Sequence, residues 1–345
     1  MGCSFLKISG GFPPADGSFL SRIQEGFQRI SGEIVIYLDG LNLERERMDE
    51  SFLGRLEREI LVMSGAMGTV MHQMGAELGK CISQWIVEHP EVYRSLVRDY
   101  FQVGCDIVSG ATFTLNRISL AKFGLADKVE ELNRGVVRII QEVRPDGGFV
   151  AGNIGPTGRI LKPLGDLNGE ELLEVYSEQA RALARSGVEI INILTMYDLE
   201  EAVIALRAAK THTSLPVIVS LAFDPAPKGY RTMMGVSPEA AAQRLEAEGA
   251  DVIGANCGRV NPEQMVEVMG LMKSNCQKPL VAKPNAGSPH VEEGREKYAI
   301  GPEQLAGQVG KWISNWSRIV SACCGSNPVH LKEIAKEVRK MEGSG

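Results

Sequence analysis

Three consecutive pieces of the chain decide the fold: GFVAGNIGP (148–156), GEELLEVYSEQARALARSG (169–187) and VEIINILTMYD (188–198). The first and third are short, nearly unbroken apolar runs rich in Val and Ile, as strands covered on both faces must be. The middle piece has the apolar spacing of an amphipathic helix and stops at a glycine. Working outward, the same unit recurs. Further apolar runs are EILVMSGAMG (59–68), CDIVSGATF (105–113), PVIVSLAFD (216–224), DVIGANCG (251–258), PLVAKPNAG (279–287) and SRIVSACCG (317–325), with helical stretches such as SPEAAAQRLEAEG (237–249) between runs. Eight strand–helix units predict one closed parallel (β/α)8 TIM barrel of the α/β class. An open doubly wound sheet would place a phosphate-binding G-x-G-x-x-G after its first strand, and SGAMGT (64–69) does not match it.

Residues 1–56 have a different texture, with early Gly and Pro, a short apolar run at 34–38 and a charged stretch at 44–50. They are expected to form an N-terminal extension, poorly ordered, ahead of a barrel at 57–342. Met48 opens MDESFLGRLERE (48–59), an amphipathic helical pattern, so the native start is expected there. The net charge of −6 argues against a broad nucleic-acid footprint. No apolar run reaches membrane-spanning length, and no secretory signal opens the chain, so a cytoplasmic location is the expectation. The seven cysteines are odd in number and irregularly spaced in a chain of 345 residues, which is not a disulfide framework.

In a barrel of this kind the active site lies at the C-terminal ends of the strands. The sixth run ends at Asn256-Cys257-Gly258 and the eighth at Cys323-Cys324-Gly325. One strand separates them, so their ends can converge. Three thiolates with a vacant fourth position match a catalytic zinc site, and zinc tolerates tetrahedral sulfur without redox chemistry. Against this, a cysteine in an apolar strand is most often a small buried hydrophobe, the reading given to Cys81, Cys105 and Cys276. The histidines do not cluster; His290 is the one to watch because it follows the seventh run. Asp198, Asp224 and Lys283 lie at or just past strand ends, with substrate contact and structural hydrogen bonding equally open. Tyr197 and Tyr230 suit a pocket wall. DPAPKGYRTMMG (224–235) suits a lid or a surface loop.

GANCG (254–258) followed by CCGSNPVHL (323–331) resembles the homocysteine S-methyltransferase family, and SGAMGT, GNIGPTG (152–158) and KPNAG (283–287) extend the resemblance over about residues 58–340. The resemblance implies a (β/α)8 barrel with Zn2+ held by Cys257, Cys323 and Cys324, with Asn285 weakly at the open position. It implies a substrate thiol bound to zinc as thiolate, attacking a methyl group carried by a corrinoid, betaine or a sulfonium. The chain departs from the family where the amino acid would be gripped. The family's acidic positions are Ser64 in the first unit, Ser109 in the second and Leu194, followed by Thr195, in the fourth. An ammonium in a dry barrel mouth needs such carboxylates. The expected substrate is therefore a small methylated compound in a pocket of Ser64, Ser109, Asn153, Leu194, Thr195 and Asn256. The expected acceptor is a corrinoid on a partner protein, with no cobalamin in this chain. The alternatives are homocysteine methylation to methionine, a non-catalytic zinc-binding docking module, and a barrel whose cysteines hold no metal.

Overall fold

The computed structural model describes residues 27–30, 33–36, 50–292 and 295–343. The chain divides into two compact units, Met1–Glu50 and Ser51–Gly345. In the first, Phe27–Ile30 pairs antiparallel with Glu33–Ile36. The expected strand at 34–38 falls partly on that pairing, and the expected disorder of the extension lies outside the described residues.

The second unit is a (β/α)8 barrel. Its strands are β1 (Leu61–Val62), β2 (Ile107–Ser109), β3 (Phe149–Ile154), β4 (Ile190–Met196), β5 (Val217–Leu221), β6 (Val252–Asn256), β7 (Leu280–Lys283) and β8 (Ser317–Val320). Each lies within one of the eight apolar runs. All neighbours are parallel, in the order β1-β8-β7-β6-β5-β4-β3-β2. A single bridge, Met63 to Ile107, shuts the ring between β1 and β2. Ser64 N donates to Ile107 O (2.8 Å) and Asp106 N to Val62 O (2.8 Å) across the same joint. Among the described residues no helix is long and apolar enough to cross a membrane.

The strand period of two sorts the side chains. Leu61, Met63, Ile107, Phe149, Ala151, Ile190, Ile218, Val252, Val281 and Ile319 fill the lower interior. Their neighbours in sequence face the surrounding helices. The second compact unit begins at Ser51. It opens with the helix Phe52–Arg58, capped by Ser51, whose Phe52 and Leu56 stand one turn apart and join the interior cluster as its floor. Phe52 meets Phe149 edge to face at 5.8 Å, and Arg55 lies over the Phe149 ring while pairing with Asp106 at 3.0 Å.

Helix starts follow ordinary capping chemistry. Asn168 caps Gly169–Arg185, Asp198 caps Leu199–His212 and Asn261 forms a capping box with Gln264. Asp198, one of the strand-end residues left open by the sequence, is thus committed to backbone amides. The 224–235 segment folds back on itself as a small antiparallel pair, Asp224 to Arg231 and Pro225 to Tyr230.

Candidate metal centre

The upper interior of the barrel is polar. Two residues beyond an apolar interior position stand Ser109, Asn153, Asn192, Ser220, Lys283 and Ser321, and Asn256 stands four beyond Val252, every one of them buried. Above this layer the chain turns sharply. Cys257 and Gly258 both have left-handed backbone, with φ 56 and 67. Such strain on a non-glycine residue is sparse and collects at functional sites. The turn after β6 therefore carries Cys257 over the barrel mouth. Cys323 and Cys324 arrive from β8, and Asn285 from β7.

The three half-buried thiols meet. Cys257 Sγ lies 3.3 Å from Cys323 Sγ and 3.5 Å from Cys324 Sγ, and all three sulfurs fall within 4.8 Å of one another. All are free thiols. Sulfurs on a tetrahedral zinc ion, at bonds of about 2.3 Å, stand roughly 3.8 Å apart. The donor set fits a soft or borderline divalent ion with small adjustments, and sulfur donors select against Mg2+ and Ca2+.

The surroundings fix the thiols. Asn285 Oδ1 accepts from Cys257 Sγ (3.3 Å) and from Cys324 N (3.1 Å), while its Nδ2 donates to Gly258 O (2.9 Å). Asn285 thus touches both thiol-bearing turns, and its amide oxygen is within reach of the cluster. Asn256 Oδ1 accepts from Thr195 N (2.7 Å) and Ser220 Oγ (2.8 Å). Its Nδ2 donates to Thr195 Oγ1 (2.7 Å) and points at Cys323 Sγ (3.7 Å). Thr195 has φ 59, so β4 carries a left-handed residue one before its end, held in place by Asn256. Backbone bonds from Cys323 N to Pro284 O (2.7 Å) and from Cys257 N to Lys283 O (3.2 Å) tie both turns to the end of β7.

The cluster's charge is unevenly held. Hydrogen bonds from Cys257 and Cys324, then the nearby Lys283 ammonium, hold the Cys323 thiol well below its ordinary range, against burial. Cys257 is pushed well above the ordinary range by its contacts with Cys323 and Cys324 and by burial. Cys324 is lowered by Cys257, but contact with Cys323 and burial outweigh this and bring it up to about 12. Within the cluster, negative charge is therefore held most readily on Cys323.

The other expected pocket residues separate into groups. Thr195 and Asn256 join the thiols. Asn153 sits lower, its Nδ2 donating to Gly110 O (2.8 Å) and its Oδ1 accepting from Asn192 Nδ2 (2.7 Å). Ser64 Oγ accepts from Ser109 N (3.0 Å), and Ser64 O accepts from Lys283 Nζ (2.8 Å) and Ser321 Oγ (3.0 Å). Leu194 is buried at 7% exposure. Ser109 Oγ is buried without a partner. Asp224 accepts from Arg259 N (2.8 Å) and pairs with its guanidinium, and Tyr230 OH donates to Glu267 (2.7 Å), so both serve loop structure. Asn192, Ser220 and Ser321 were not singled out from the sequence. The signal was present: each lies two residues beyond an interior Ile of its strand. Glu201 was also missed. Its buried carboxylate accepts from Thr157 N (2.9 Å), Thr157 Oγ1 (2.8 Å) and Tyr176 OH (2.8 Å), which anchors the GNIGPTG loop. Burial pushes that carboxyl up, while the Thr157 and Tyr176 bonds oppose it.

The model of the homocysteine S-methyltransferase family matches residues 61–338. The chain is 29% identical over 314 residues to a methionine synthase of Mycobacterium leprae, covering 86% of this chain and 26% of that protein. It is 27% identical over 317 residues to a methionine synthase of Mycobacterium tuberculosis, covering 87% and 26% respectively. The chain therefore spans about a quarter of the length of these relatives. In fold it is similar to the homocysteine methyltransferase MmuM from Escherichia coli. The metallated form superposes with a TM-score of 0.68 at 18% identity, covering 81% of this chain and 96% of that one. The oxidized form gives 0.67 at 19% identity, covering 81% and 97%.

Proposed function

Since the chain belongs to the homocysteine S-methyltransferase family, we propose that it is a zinc-dependent methyltransferase whose substrate differs from homocysteine. The observation that carries this reading is the meeting of Cys257, Cys323 and Cys324 at the C-terminal mouth of the barrel. These three residues would hold the ion, with Asn285 at the remaining position when substrate is absent. Bound zinc supplies a Lewis acid that keeps a substrate thiol ionised or polarises a leaving heteroatom. Asn256 orients Cys323 and Thr195 together, and the left-handed turn at Cys257–Gly258 brings the third thiol to them. We place the other end of the methyl transfer on a corrinoid carried by a partner protein, and the protein itself in the cytoplasm.

The substrate argument rests on charge. The positions that would grip an ammonium are Ser64, Ser109 and Leu194, none of them acidic. Among the described residues the nearby carboxylates are otherwise engaged: Glu201 by Thr157 and Tyr176, Asp198 by helix amides, Asp224 by Arg259. An ammonium brought into this mouth goes unpaired, at a cost of several kcal/mol. Offered homocysteine with methylcobalamin, S-methylmethionine or betaine, the protein is expected to make methionine with kcat/KM lower by about 100-fold or more than a homocysteine enzyme. Efficient methionine formation would restore the homocysteine reading. A zinc-loaded protein with no transfer to any thiol or corrinoid would favour a docking module.

The uneven thiols give a second expectation. Cys323 is the thiol that ionises most readily, while Cys257 and Cys324 hold their protons more tightly. Zinc must displace those two, so loading near pH 7.5 releases about two protons per ion, and apparent affinity rises by about two decades per pH unit until the raised thiols ionise unaided. Indicator-dye titration in weak buffer reads the protons, and chelator competition across pH reads the slope. A release of three protons would show that Cys323 is not the pre-formed thiolate.

A further inference from the structure

Lys283 ends β7 in the polar interior layer, two residues above Val281 of the apolar interior and one strand from the turn that carries Cys323. Its side chain is 4% exposed, and among the described residues it is the only lysine or arginine buried to that degree. An ammonium has three protons to donate. One goes to Ser64 O at 2.8 Å. Burial opposes its charge, and the thiols of Cys323, Cys257, Cys105 and Cys324 favour it. Ser109 shares the layer, three strands round the ring and bridged to Lys283 through Ser64. Its hydroxyl is 1% exposed and has no partner. A buried donor with unused protons and a buried orphan hydroxyl are both costly unless something completes them.

We propose that Lys283 and Ser109 form an anion-recognising floor beneath the sulfur cluster. The substrate is then a small thiol, or its methyl thioether or ether, that carries a carboxylate or sulfonate and no ammonium. This rests on the reading of Cys257, Cys323 and Cys324 as the methyl-transfer site and adds the polarity of what enters. The family's grip on a cation is inverted: neutral serines stand where carboxylates would, and a lysine supplies the opposite charge. A competing role for Lys283 is simple neutralisation of three thiolates around a divalent ion, which would leave the substrate's charge unread.

The test uses the full chain loaded with Co2+, whose sulfur-to-metal absorption reports thiol binding without turnover. Three probes of similar length are titrated: 3-mercaptopropionate, 1-propanethiol and cysteamine. The ammonium of cysteamine acidifies its own thiol, so metal–sulfur bonding alone favours cysteamine. The expected order is the reverse, with 3-mercaptopropionate tighter than propanethiol by about tenfold or more and cysteamine weakest. In Lys283→Met the preference for the carboxylate should collapse to within about threefold, and Lys283→Arg should retain it in part. The wild-type order stands as a test even if a variant does not fold. Equal binding of the probes, a cysteamine preference, or an order unchanged in a folded Lys283→Met overturns the anion floor and leaves the metal reading intact. A protein that takes up no cobalt overturns both.

Discussion

Cys323→Ala should leave the protein folded, strip it of metal and abolish methyl transfer. Cys323 is the hub of the cluster. Its sulfur is 3.3 Å from Cys257, faces the Asn256 amide and is the thiol whose pKa is held well below the ordinary range. Removing it leaves two reluctant thiols and an amide oxygen, too few donors for a four-coordinate ion. Loss of a mere outer partner of a metal ligand costs about 10–100-fold in affinity, so loss of this ligand should exceed about 100-fold. Elemental analysis after dialysis is expected to find about one zinc per chain in the parent and almost none in the variant. Methyl transfer should fall below detection. Cys276→Ala is the control, because Cys276 is buried outside the cluster and should keep its metal. Equal zinc content in parent and Cys323→Ala would remove the ion from this site.

Gly258→Ala is expected to damage stability and site together. Gly258 has φ +67, and a Cβ there would lie 2.1 Å from Phe223 O and 2.9 Å from Phe223 N and C. These are backbone atoms of the neighbouring strand's loop, so no side chain can swing away. The cost is that of a left-handed alanine plus an overlap that moves two strand ends apart, about 3 kcal/mol or more. Cys257 is the residue before it and Asn285 donates to the Gly258 carbonyl, so the displacement reaches the sulfurs directly. Thermal unfolding should shift down by several degrees, with zinc affinity reduced in the folded fraction. Gly249→Ala makes the comparison sharp. Its φ is +86, but an added Cβ meets nothing within 4 Å. That variant should pay only the conformational cost, about 1 kcal/mol, and keep its metal.

Much of this architecture was legible because parallel barrel strands are buried on both sides and so announce themselves as apolar runs. All eight were found that way, and the three sulfurs followed from reading the tips of those runs. Reading tips alone was also the weakness. The polar layer lies inside the strands, and its members alternate with residues that face the helices. Ile190 to Asn192, Ile218 to Ser220, Val281 to Lys283 and Ile319 to Ser321 are each a step of two, visible only once an interior register is chosen. No composition or run length fixes that register. The floor was missed for a different reason. Phe52 and Leu56 look like the start of an ordinary amphipathic helix, and that this helix closes the barrel from below is a tertiary fact. Likewise Glu201 reads as one more acidic residue in a helix's first turn until Thr157 and Tyr176 are found around it.

The single bridge between β1 and β2 has a further implication for how the donor set comes into being. β1 lies between β2 and β8, so one of the ring's two joints at its first strand depends on the last strand laid down. Two of the three sulfurs ride immediately behind that last strand. While the polypeptide is incomplete, Cys257 waits alone, and an incoming ion finds no triad to occupy. On the zinc reading, capture of the ion would wait until the circle is whole.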